Sequence, residues 1–295
     1  MLDLNQLNTE QTNASSRSFS SLSVLEAVRL MNQEDAKVLE AIASQDEVIA
    51  QVIEKASQAL RKGGRLIYTG AGTSGRLGVL DAVECPPTFG VPDEMVMGIV
   101  AGGASSFSHP REDAEDSPEE GRADLQAAGL TDKDMVIGVA ASGRTPYVAG
   151  ALEYARSLGA STAAIVCSEN GPIEKLTETV VLRTGPEVLT GSTRLKAGTA
   201  CKIVMNMIST ISMKELGRIY KNYMVDVTVS NEKLAARAAN IVAAVTGCDP
   251  DTAQRMLGAA GQDVKCAIVM TAKGISREQA QFMIKESEGF LDRIL

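Results

Sequence analysis

The chain has 295 residues, 44% of them hydrophobic, and a formal net charge of −8 at neutral pH. This length suits one large domain or two small ones, and the composition is ordinary for a globular protein with an apolar core. The negative charge disfavours nucleic acid as a partner, because phosphate backbones are bound by clustered lysine and arginine side chains.

The sequence also predicts a protein without a membrane segment, metal site or cofactor. No stretch reaches the roughly 18 consecutive apolar residues of a membrane span, and the N-terminus lacks a basic flank followed by an apolar run. The chain is therefore expected in the cytoplasm. Its five cysteines are scattered and form no C-x-x-C pair, which disfavours a disulfide framework and a zinc site. The single histidine, His109, excludes a histidine-rich metal site and is given no role.

The region before the first apolar run is predicted to form an arm followed by helices. Residues 1–20 are polar and rich in serine and asparagine, and we expect them to form a loosely held arm. From about Ser23 to Leu60 the apolar positions recur with helical spacing. This pattern predicts one or two helices, with a break near Asn32.

Short apolar runs alternate with helical patterns through the middle of the chain. They occupy residues 65–70, 95–103, 135–142, 162–168 and 179–184. Runs of this length, hydrophobic on both faces and separated by helices, predict a five-stranded parallel sheet covered on both sides, and so an α/β fold. Several runs end in glycine, serine or threonine, and in such a sheet ligands bind beyond the carboxyl ends of the strands.

The last part of the chain is predicted to be helical. A long helix runs from about residue 192 to residue 216, and every pattern after Ser230 is helical. Asp249 is expected to cap a helix that has Pro250 in its first turn. We therefore divide the chain into an arm, 1–20, a domain with leading helices, 21–230, and a small all-helical C-terminal domain, 231–295.

The first apolar run is followed by a glycine-rich loop, Gly70-Ala71-Gly72-Thr73-Ser74-Gly75-Arg76, that opens a helix. Glycines let the backbone approach a ligand closely, the helix start supplies free N–H groups, and Thr73 and Ser74 add hydroxyl donors. That combination suits a phosphate monoester, with Gly72, Thr73 and Ser74 as binding residues. The loop lacks the lysine of the common nucleotide loop and the third glycine of a dinucleotide loop. The alternative is an ordinary strand-to-helix turn.

A second hydroxyl-rich loop, Ala141-Ser142-Gly143-Arg144-Thr145-Pro146, takes the same place after the third run. Pro146 fits the first turn of a helix, with Thr145 as its cap. Two such loops on one sheet are much harder to attribute to chance than one. We therefore predict that Ser142, Gly143 and Thr145 join the first loop in binding the substrate.

The two loops and the predicted sheet resemble the sugar isomerase (SIS) domain, a phosphosugar-binding fold. Residues 185–198 resemble the signature shared by N-acetylmuramic acid 6-phosphate etherases and glucokinase regulatory proteins. Residues 70–90, 114–117 and 222–226 are similar to the etherases, and the likeness runs from about residue 12 to the C-terminus. The resemblance implies an SIS-type three-layer αβα domain, a phosphorylated amino-sugar substrate and a homodimer.

The resemblance also implies which residues act on the substrate. By motif, the two catalytic carboxylates of the family fall on Glu84 and Glu115, and Thr193 and Arg194 lie near the ligand. The etherases cleave a D-lactyl ether at C3 of the sugar by elimination of lactate and addition of water, which gives N-acetylglucosamine 6-phosphate in cell-wall recycling. A base must take the C2 proton and an acid must protonate the leaving oxygen, and two carboxylates can serve. No metal or cofactor is needed.

Glu84 is assigned the acid role from its place in the predicted helix. That helix begins near Ser74 and is expected to stop at Cys85-Pro86-Pro87, and negative charge is disfavoured at a helix C-terminus. Glu115 is then the C2 base. Without the resemblance, both would be interpreted as ordinary solvated glutamates. About ten residues of helix, roughly 15 Å, separate Ser74 from Glu84, so we hypothesise that the loop and the Glu84 at one site come from different subunits.

Three alternatives compete with these predictions. A regulatory sugar-phosphate sensor, like glucokinase regulatory protein, would bind its ligand without turnover, but such regulators carry two SIS domains and this chain has room for one. An aldose–ketose isomerase of the same fold would share the C2 proton abstraction, yet it has no need for the 185–198 signature. The third alternative concerns two side chains: Arg194 and Lys196 could form structural salt bridges instead of lying at the ligand.

Overall fold

The computed structural model describes residues 8–109, 111, 113–229 and 231–295. The chain divides into two compact units. The first comprises the described residues up to Val83 together with Glu94–Ser209, and the second comprises Glu84–Asp93 together with Thr210–Leu295. Among the described residues, no helix combines the length and the apolar character that crossing a membrane requires.

Helices and strands alternate through the first unit, and helices dominate the second. In chain order the elements are α1 Val24–Asp35, α2 Lys37–Ala43, α3 Asp46–Arg61, β1 Leu66–Gly70, α4 Gly72–Phe89, β2 Val96–Val100, α5 Pro118–Ala127, β3 Met135–Val139, α6 Pro146–Ser157, β4 Ser161–Val166, β5 Glu178–Val181, α7 Lys196–Glu215, β6 Ile219–Tyr220, β7 Tyr223–Met224, α8 Glu232–Thr246, α9 Pro250–Ala259, α10 Val264–Lys273 and α11 Arg277–Glu286. The apolar runs identified in the sequence are strands β1 to β5, so the predicted alternation is confirmed.

Strands β1 to β5 form one parallel sheet in the order β2-β1-β3-β4-β5. Leu66 of β1 is in register with Val96 of β2 on one side and with Met135 of β3 on the other. Strands β1 and β3 are buried along their whole length, which explains their unbroken apolar sequence. The predicted α/β class with a five-stranded parallel sheet is thus confirmed.

Helices cover both faces of this sheet. Ile67 of β1 belongs to an apolar cluster with Val148 of α6. The next residue, Tyr68, points to the opposite face, where its hydroxyl donates to the carbonyl of Met205 in α7 (3.2 Å). Gly138 of β3 lets α6 approach closely, because a Cβ atom there would come within 2.6 Å of Val148. Helices α6 and α7 therefore form the outer layers of an αβα arrangement.

The region before β1 differs from its prediction. Three helices, α1 to α3, take the place of the predicted one or two, and the first break falls at Ala36 rather than near Asn32. Ser23 starts α1 with a capping box to Glu26. Asn32 is exposed within α1, where asparagine has only a modest cost, and so it does not end the helix.

The described part of the arm is well fixed, so the prediction of a loosely held arm is wrong for residues 8–20, while residues 1–7 lie outside the described residues. Asn13 is buried. Its side-chain amide donates to Glu34 Oε2 (2.7 Å) and to the carbonyl of Pro186 (3.0 Å). These hydrogen bonds hold the arm against two distant segments of the first unit.

Helix α4 runs further than predicted. Its end was expected at Cys85-Pro86-Pro87, but it continues through both prolines to Phe89. Proline removes an N–H donor and disrupts a helix interior, yet these two prolines lie close to the helix end. The Thr228 hydroxyl donates to the Pro86 carbonyl and the Thr228 N–H to the Pro87 carbonyl, each at 3.2 Å. Glu84 therefore lies inside the helix, and the helix-end argument for its acid role no longer holds.

The second unit is built mainly from α8 to α11. Each of these helices begins with a side chain that accepts a hydrogen bond from a backbone N–H three residues on, and the capping residues are Asn231, Asp249, Asp263 and Ser276. The predicted helix start at Asp249 and Pro250 is confirmed. The unit also takes in the antiparallel pair β6 and β7 and the ends of α4 and α7, so its extent differs from that of the predicted 231–295 domain.

Candidate functional site

A cavity of about 660 Å³ lies in the first unit, at the carboxyl ends of β1 and β3. Its lining includes residues that directly follow these two strands, as expected for a ligand site on a parallel sheet. Seven of the ten predicted site residues line it: Gly72, Thr73, Ser74, Glu115, Ser142, Thr145 and Thr193. The structure thus brings both hydroxyl-rich loops to one cavity, together with one of the two predicted catalytic glutamates.

The first loop turns directly from β1 into α4 because glycine stands at its tight positions. A Cβ atom on Gly70 would come within 2.8 Å of the Val139 carbonyl, and one on Gly75 within 2.3 Å of the Gly70 carbonyl. Gly72 has a φ of 51°, a conformation that favours glycine. Helix α4 can therefore start at the cavity, where the N–H groups of its first turn and the two loop hydroxyls can meet an anion.

The second loop is shaped around Ser142. The N–H of Arg144 donates to Ser142 Oγ (3.3 Å), and Gly143 between them has a φ of 68°. Thr145 occupies the predicted N-cap position before Pro146, but its side chain makes no capping hydrogen bond. Because Thr145 lines the cavity, a hydroxyl that does not cap the helix is left to bind a ligand.

Gly143 shapes the second loop and does not line the cavity. Its carbonyl accepts a hydrogen bond from the N–H of Ile173 (3.3 Å). A Cβ atom on Gly171 would come within 2.4 Å of the same carbonyl, so glycine is required for this close contact. The segment after β4 is thereby packed against the second loop. The predicted contact between Gly143 and the ligand gains no support from the lining.

The 185–198 signature caps α7 with a buried carboxylate. Glu187 is fully buried, and it accepts hydrogen bonds from the backbone N–H groups of Lys196 (3.1 Å) and Ala197 (2.9 Å). Burial raises the pKa of Glu187, and the two N–H groups and the Lys196 charge oppose that rise. A carboxylate here also suits the positive end of the helix dipole. The cap fixes the segment from which Thr193 reaches the cavity.

Lys196 forms a buried ion pair. Its Nζ atom lies 2.7 Å from Glu34 Oε2, and both side chains are almost fully buried. Burial acts to raise the pKa of Glu34, but hydrogen bonds from Lys196, Lys37 and Asn13 together lower it to about 2. The structural salt bridge considered for Lys196 is therefore present, and it ties α1 to the start of α7.

Glu34→Gln is expected to lower the free energy of unfolding by about 3–5 kcal/mol, because it leaves the Lys196 ammonium buried without its counter-charge. Lys37→Ala is the matched control, since Lys37 also pairs with Glu34 but is half exposed, and its loss should cost less than about 1 kcal/mol. Urea denaturation of the two variants measures the difference, and equal losses would contradict the assignment.

Because the pKa of Glu34 is lowered from 4.5 to about 2, its stabilising contribution is complete above pH 4.5 and is lost as the pH falls through about 2.

Two further predicted site residues, Arg194 and Glu84, do not line the cavity. Arg194 is exposed just before α7, so the fixed cation expected near the ligand gains no support at this position. Glu84 is exposed and belongs to the second compact unit. The assignment of both residues to the site remains a prediction.

Three charged residues of the lining, Glu10, Asp116 and Arg144, were not predicted. Glu10 comes from the arm, where its buried neighbour Thr9 has its hydroxyl 3.3 Å from Ser168 Oγ. No local signal marks Glu10, because it is one polar residue among many in a largely polar arm. Arg144 did carry a signal, since it is the one charged residue inside the second loop motif.

Among the described residues that line the cavity, carboxylates outnumber cations. Arg144 is the one cation among the described residues that line it, and its Nε atom is buried without a hydrogen-bond partner. The carboxylates of Glu10, Glu115 and Asp116 also line it, the last two from the turn Asp113–Asp116. One guanidinium, the loop hydroxyls and backbone N–H groups can therefore bind an anionic ligand. The carboxylates in the same cavity can accept protons from it.

Within the part of the chain that the structure describes, no group of three or more His, Cys, Asp or Glu side chains is placed to hold a metal ion. The five cysteines are free thiols. Cys167 and Cys201 are both buried in the first unit, with their Sγ atoms 3.8 Å apart.

A five-stranded parallel sheet with two hydroxyl-bearing loops at one cavity defines a domain of the SIS class. Residues 114–209 match the SIS domain, residues 48–156 match the glucokinase regulatory protein N-terminal SIS domain, and residues 221–264 match the C-terminal lid domain of glucokinase regulatory protein. The fold is similar to that of a phosphoheptose isomerase from Neisseria gonorrhoeae, with a TM-score of 0.51, 16% identity, and coverage of 65% of this chain and 100% of that chain.

The chain is 52% identical to the N-acetylmuramic acid 6-phosphate etherase of Pectobacterium atrosepticum, over 100% of this chain and 97% of that protein. It is 50% identical to the N-acetylmuramic acid 6-phosphate etherase of Actinobacillus pleuropneumoniae serotype 5b, over 99% of this chain and 96% of that protein. The chain belongs to the N-acetylmuramic acid 6-phosphate etherase family. The resemblance carried by the sequence motifs is confirmed, and it extends along the whole chain.

Proposed function

We propose that this chain cleaves the D-lactyl ether of N-acetylmuramic acid 6-phosphate, giving N-acetylglucosamine 6-phosphate and D-lactate, in the catabolism and recycling of cell-wall amino sugars. The observation that carries the proposal is a single cavity lined by both hydroxyl loops and by Glu115. The loops suit a phosphate monoester, and a carboxylate beside them suits proton transfer on the sugar. The names of relatives about half identical to this chain supply the substrate.

The proposed reaction is an elimination followed by an addition. In the open-chain sugar, the C1 aldehyde acidifies the C2 proton, and a base removes it. The electron pair left at C2 forms a C2–C3 double bond as the C3–O bond breaks, and an acid protonates the departing lactate oxygen. Water then adds across the double bond, with its oxygen at C3 and a proton at C2. Two carboxylates can perform these proton transfers without a metal.

Glu115 is the proposed C2 base and Glu84 the proposed acid. Glu115 lines the cavity beside the phosphate loops, which supports a role on the bound sugar. The assignment of Glu84 rests on its motif alone, because α4 does not end beside it.

The enzyme is further proposed to be a homodimer with shared sites. Glu84 does not line the cavity in the first unit of its own chain. Ser74 and Glu84 both belong to the continuous helix α4, and ten residues of helix span about 15 Å. A single hexose phosphate barely covers such a distance, whereas a second copy of the chain can bring its own Glu84 to the substrate.

Release of D-lactate from N-acetylmuramic acid 6-phosphate by the purified full chain tests the proposed function. We expect one lactate for each substrate consumed, and a much slower reaction with unphosphorylated N-acetylmuramic acid, which cannot occupy the phosphate loops. Tight binding of the phosphorylated substrate without lactate release would favour the regulatory sensor instead. Interconversion of an aldose phosphate and a ketose phosphate would favour an isomerase.

A further inference from the structure

One guanidinium that lines the cavity has a nitrogen atom without a hydrogen-bond partner among the described residues. The Arg144 Nε atom is buried, and it makes no hydrogen bond there. A buried N–H group costs free energy unless it meets an acceptor, so an acceptor from the ligand is expected at this position. The Arg144 backbone is held in place by its N–H bond to Ser142 Oγ, so the side chain starts from a fixed point in the second loop.

The proposed substrate carries two anionic groups, the phosphate at C6 and the carboxylate of the lactyl group, and the inference rests on that proposed function. A tetrahedral phosphate needs several donors spread around it, which the loop hydroxyls and the first turns of α4 and α6 can supply. A carboxylate is planar, and it pairs with one edge of a guanidinium through two parallel hydrogen bonds. The unpartnered Nε–H of Arg144 lies on such an edge.

The carboxylates that line the cavity are a second reason to expect the substrate carboxylate at Arg144. Glu10, Glu115 and Asp116 line the same cavity, and a substrate carboxylate brought among them is repelled unless a cation meets it. Arg194, the cation that the family resemblance placed near the ligand, is exposed and does not line the cavity.

We propose that Arg144 binds the lactyl carboxylate of the substrate. The product, N-acetylglucosamine 6-phosphate, keeps the phosphate but has lost the lactyl group. A guanidinium that binds this carboxylate therefore makes the enzyme bind its substrate in preference to its product. Arg144 is in this sense a specificity-determining residue, distinct from the groups that transfer protons.

Binding of substrate and product to the Arg144→Met variant tests the proposal. Both are titrated calorimetrically in a Glu115→Gln background, which removes the proposed base so that substrate is not consumed. Arg144→Met is expected to weaken binding of N-acetylmuramic acid 6-phosphate by about 10- to 100-fold, and binding of N-acetylglucosamine 6-phosphate by less than about twofold. Arg144→Lys keeps the charge without the two-bond edge and should lose an intermediate amount.

Arg156→Met is the matched control, because Arg156 is exposed in the last turn of α6 and does not line the cavity. It should change neither affinity. Equal weakening of substrate, product and inorganic phosphate by Arg144→Met would place Arg144 at the phosphate and overturn the proposal, and unchanged binding of the substrate would overturn it as well. Circular dichroism checks folding, and Arg144→Lys carries the comparison if the methionine variant does not fold. Because no turnover is measured, a failure of lactate release by the wild type would remove the proposed function and leave this result interpretable.

Discussion

Glu115→Ala is expected to lower lactate release by about 100- to 10,000-fold and to abolish exchange of the substrate C2 proton with solvent. Glu115 is the proposed catalytic carboxylate that lines the cavity with both hydroxyl-rich loops. Its loss removes the base for the first proton transfer, so neither step can proceed at its normal rate. The reaction in deuterated water, followed by a lactate assay and by the deuterium content at C2, measures both steps.

Glu84→Ala is expected to separate the same two steps. With the base intact, the C2 proton should still exchange for deuterium, while lactate release falls because the leaving oxygen is not protonated. Glu119→Ala is the matched control for both variants, since Glu119 is an exposed glutamate near Glu115 in sequence, in the first turn of α5, and does not line the cavity. It should keep wild-type rates. Exchange retained in Glu115→Ala and lost in Glu84→Ala would reverse the two roles.

The strands and the position of the two hydroxyl-rich loops could be predicted from the sequence because their signals are local. A parallel strand buried on both faces is apolar along its length, and β1 and β3 show this directly. A strand-to-helix loop that binds phosphate needs glycines and hydroxyls at successive positions. Thr73 and Ser142 could therefore be assigned to one edge of one sheet, and the structure places both at one cavity.

The features that the sequence did not predict depend on contacts between distant segments. Nothing within the arm indicates that Asn13 is buried against Glu34 and Pro186, and so Glu10 was not expected in the cavity. Helix α4 continues through Pro86 and Pro87, whose carbonyls accept hydrogen bonds from Thr228, a residue far along the chain. Such contacts decide where side chains lie, but they leave no pattern in the residues around them.

The course of α4 changes the argument for Glu84. The sequence suggested an electrostatic reason for its role, and that reason depended on a helix end that lies further on. The proposal of shared sites rests instead on length, since Ser74 and Glu84 both belong to α4 and ten residues of helix span about 15 Å. The proposal therefore requires that Glu84 act on a substrate held by another copy of the chain.

Mixing Glu84→Ala chains with chains that carry Ser142→Ala and Thr145→Ala is expected to restore activity that neither parent has. In a dimer with shared sites, each mixed dimer has one complete site, with intact loops from the first chain and an intact Glu84 from the second. Random exchange makes half of the dimers mixed, so about a quarter of the wild-type activity should return. Lactate release from equimolar mixtures measures the recovery, and native mass spectrometry verifies that mixed dimers form.

The control mixture pairs Glu115→Ala chains with the same double-loop variant. Glu115, Ser142 and Thr145 line the cavity of a single chain, so no mixed dimer of this kind contains a complete site. Its activity should stay at the parental level. Recovery in both mixtures would mean that Glu115 also acts across the dimer. Mixed dimers that form without recovery in the first mixture would show that Glu84 does not act across the dimer, and the shared-site proposal would then be wrong.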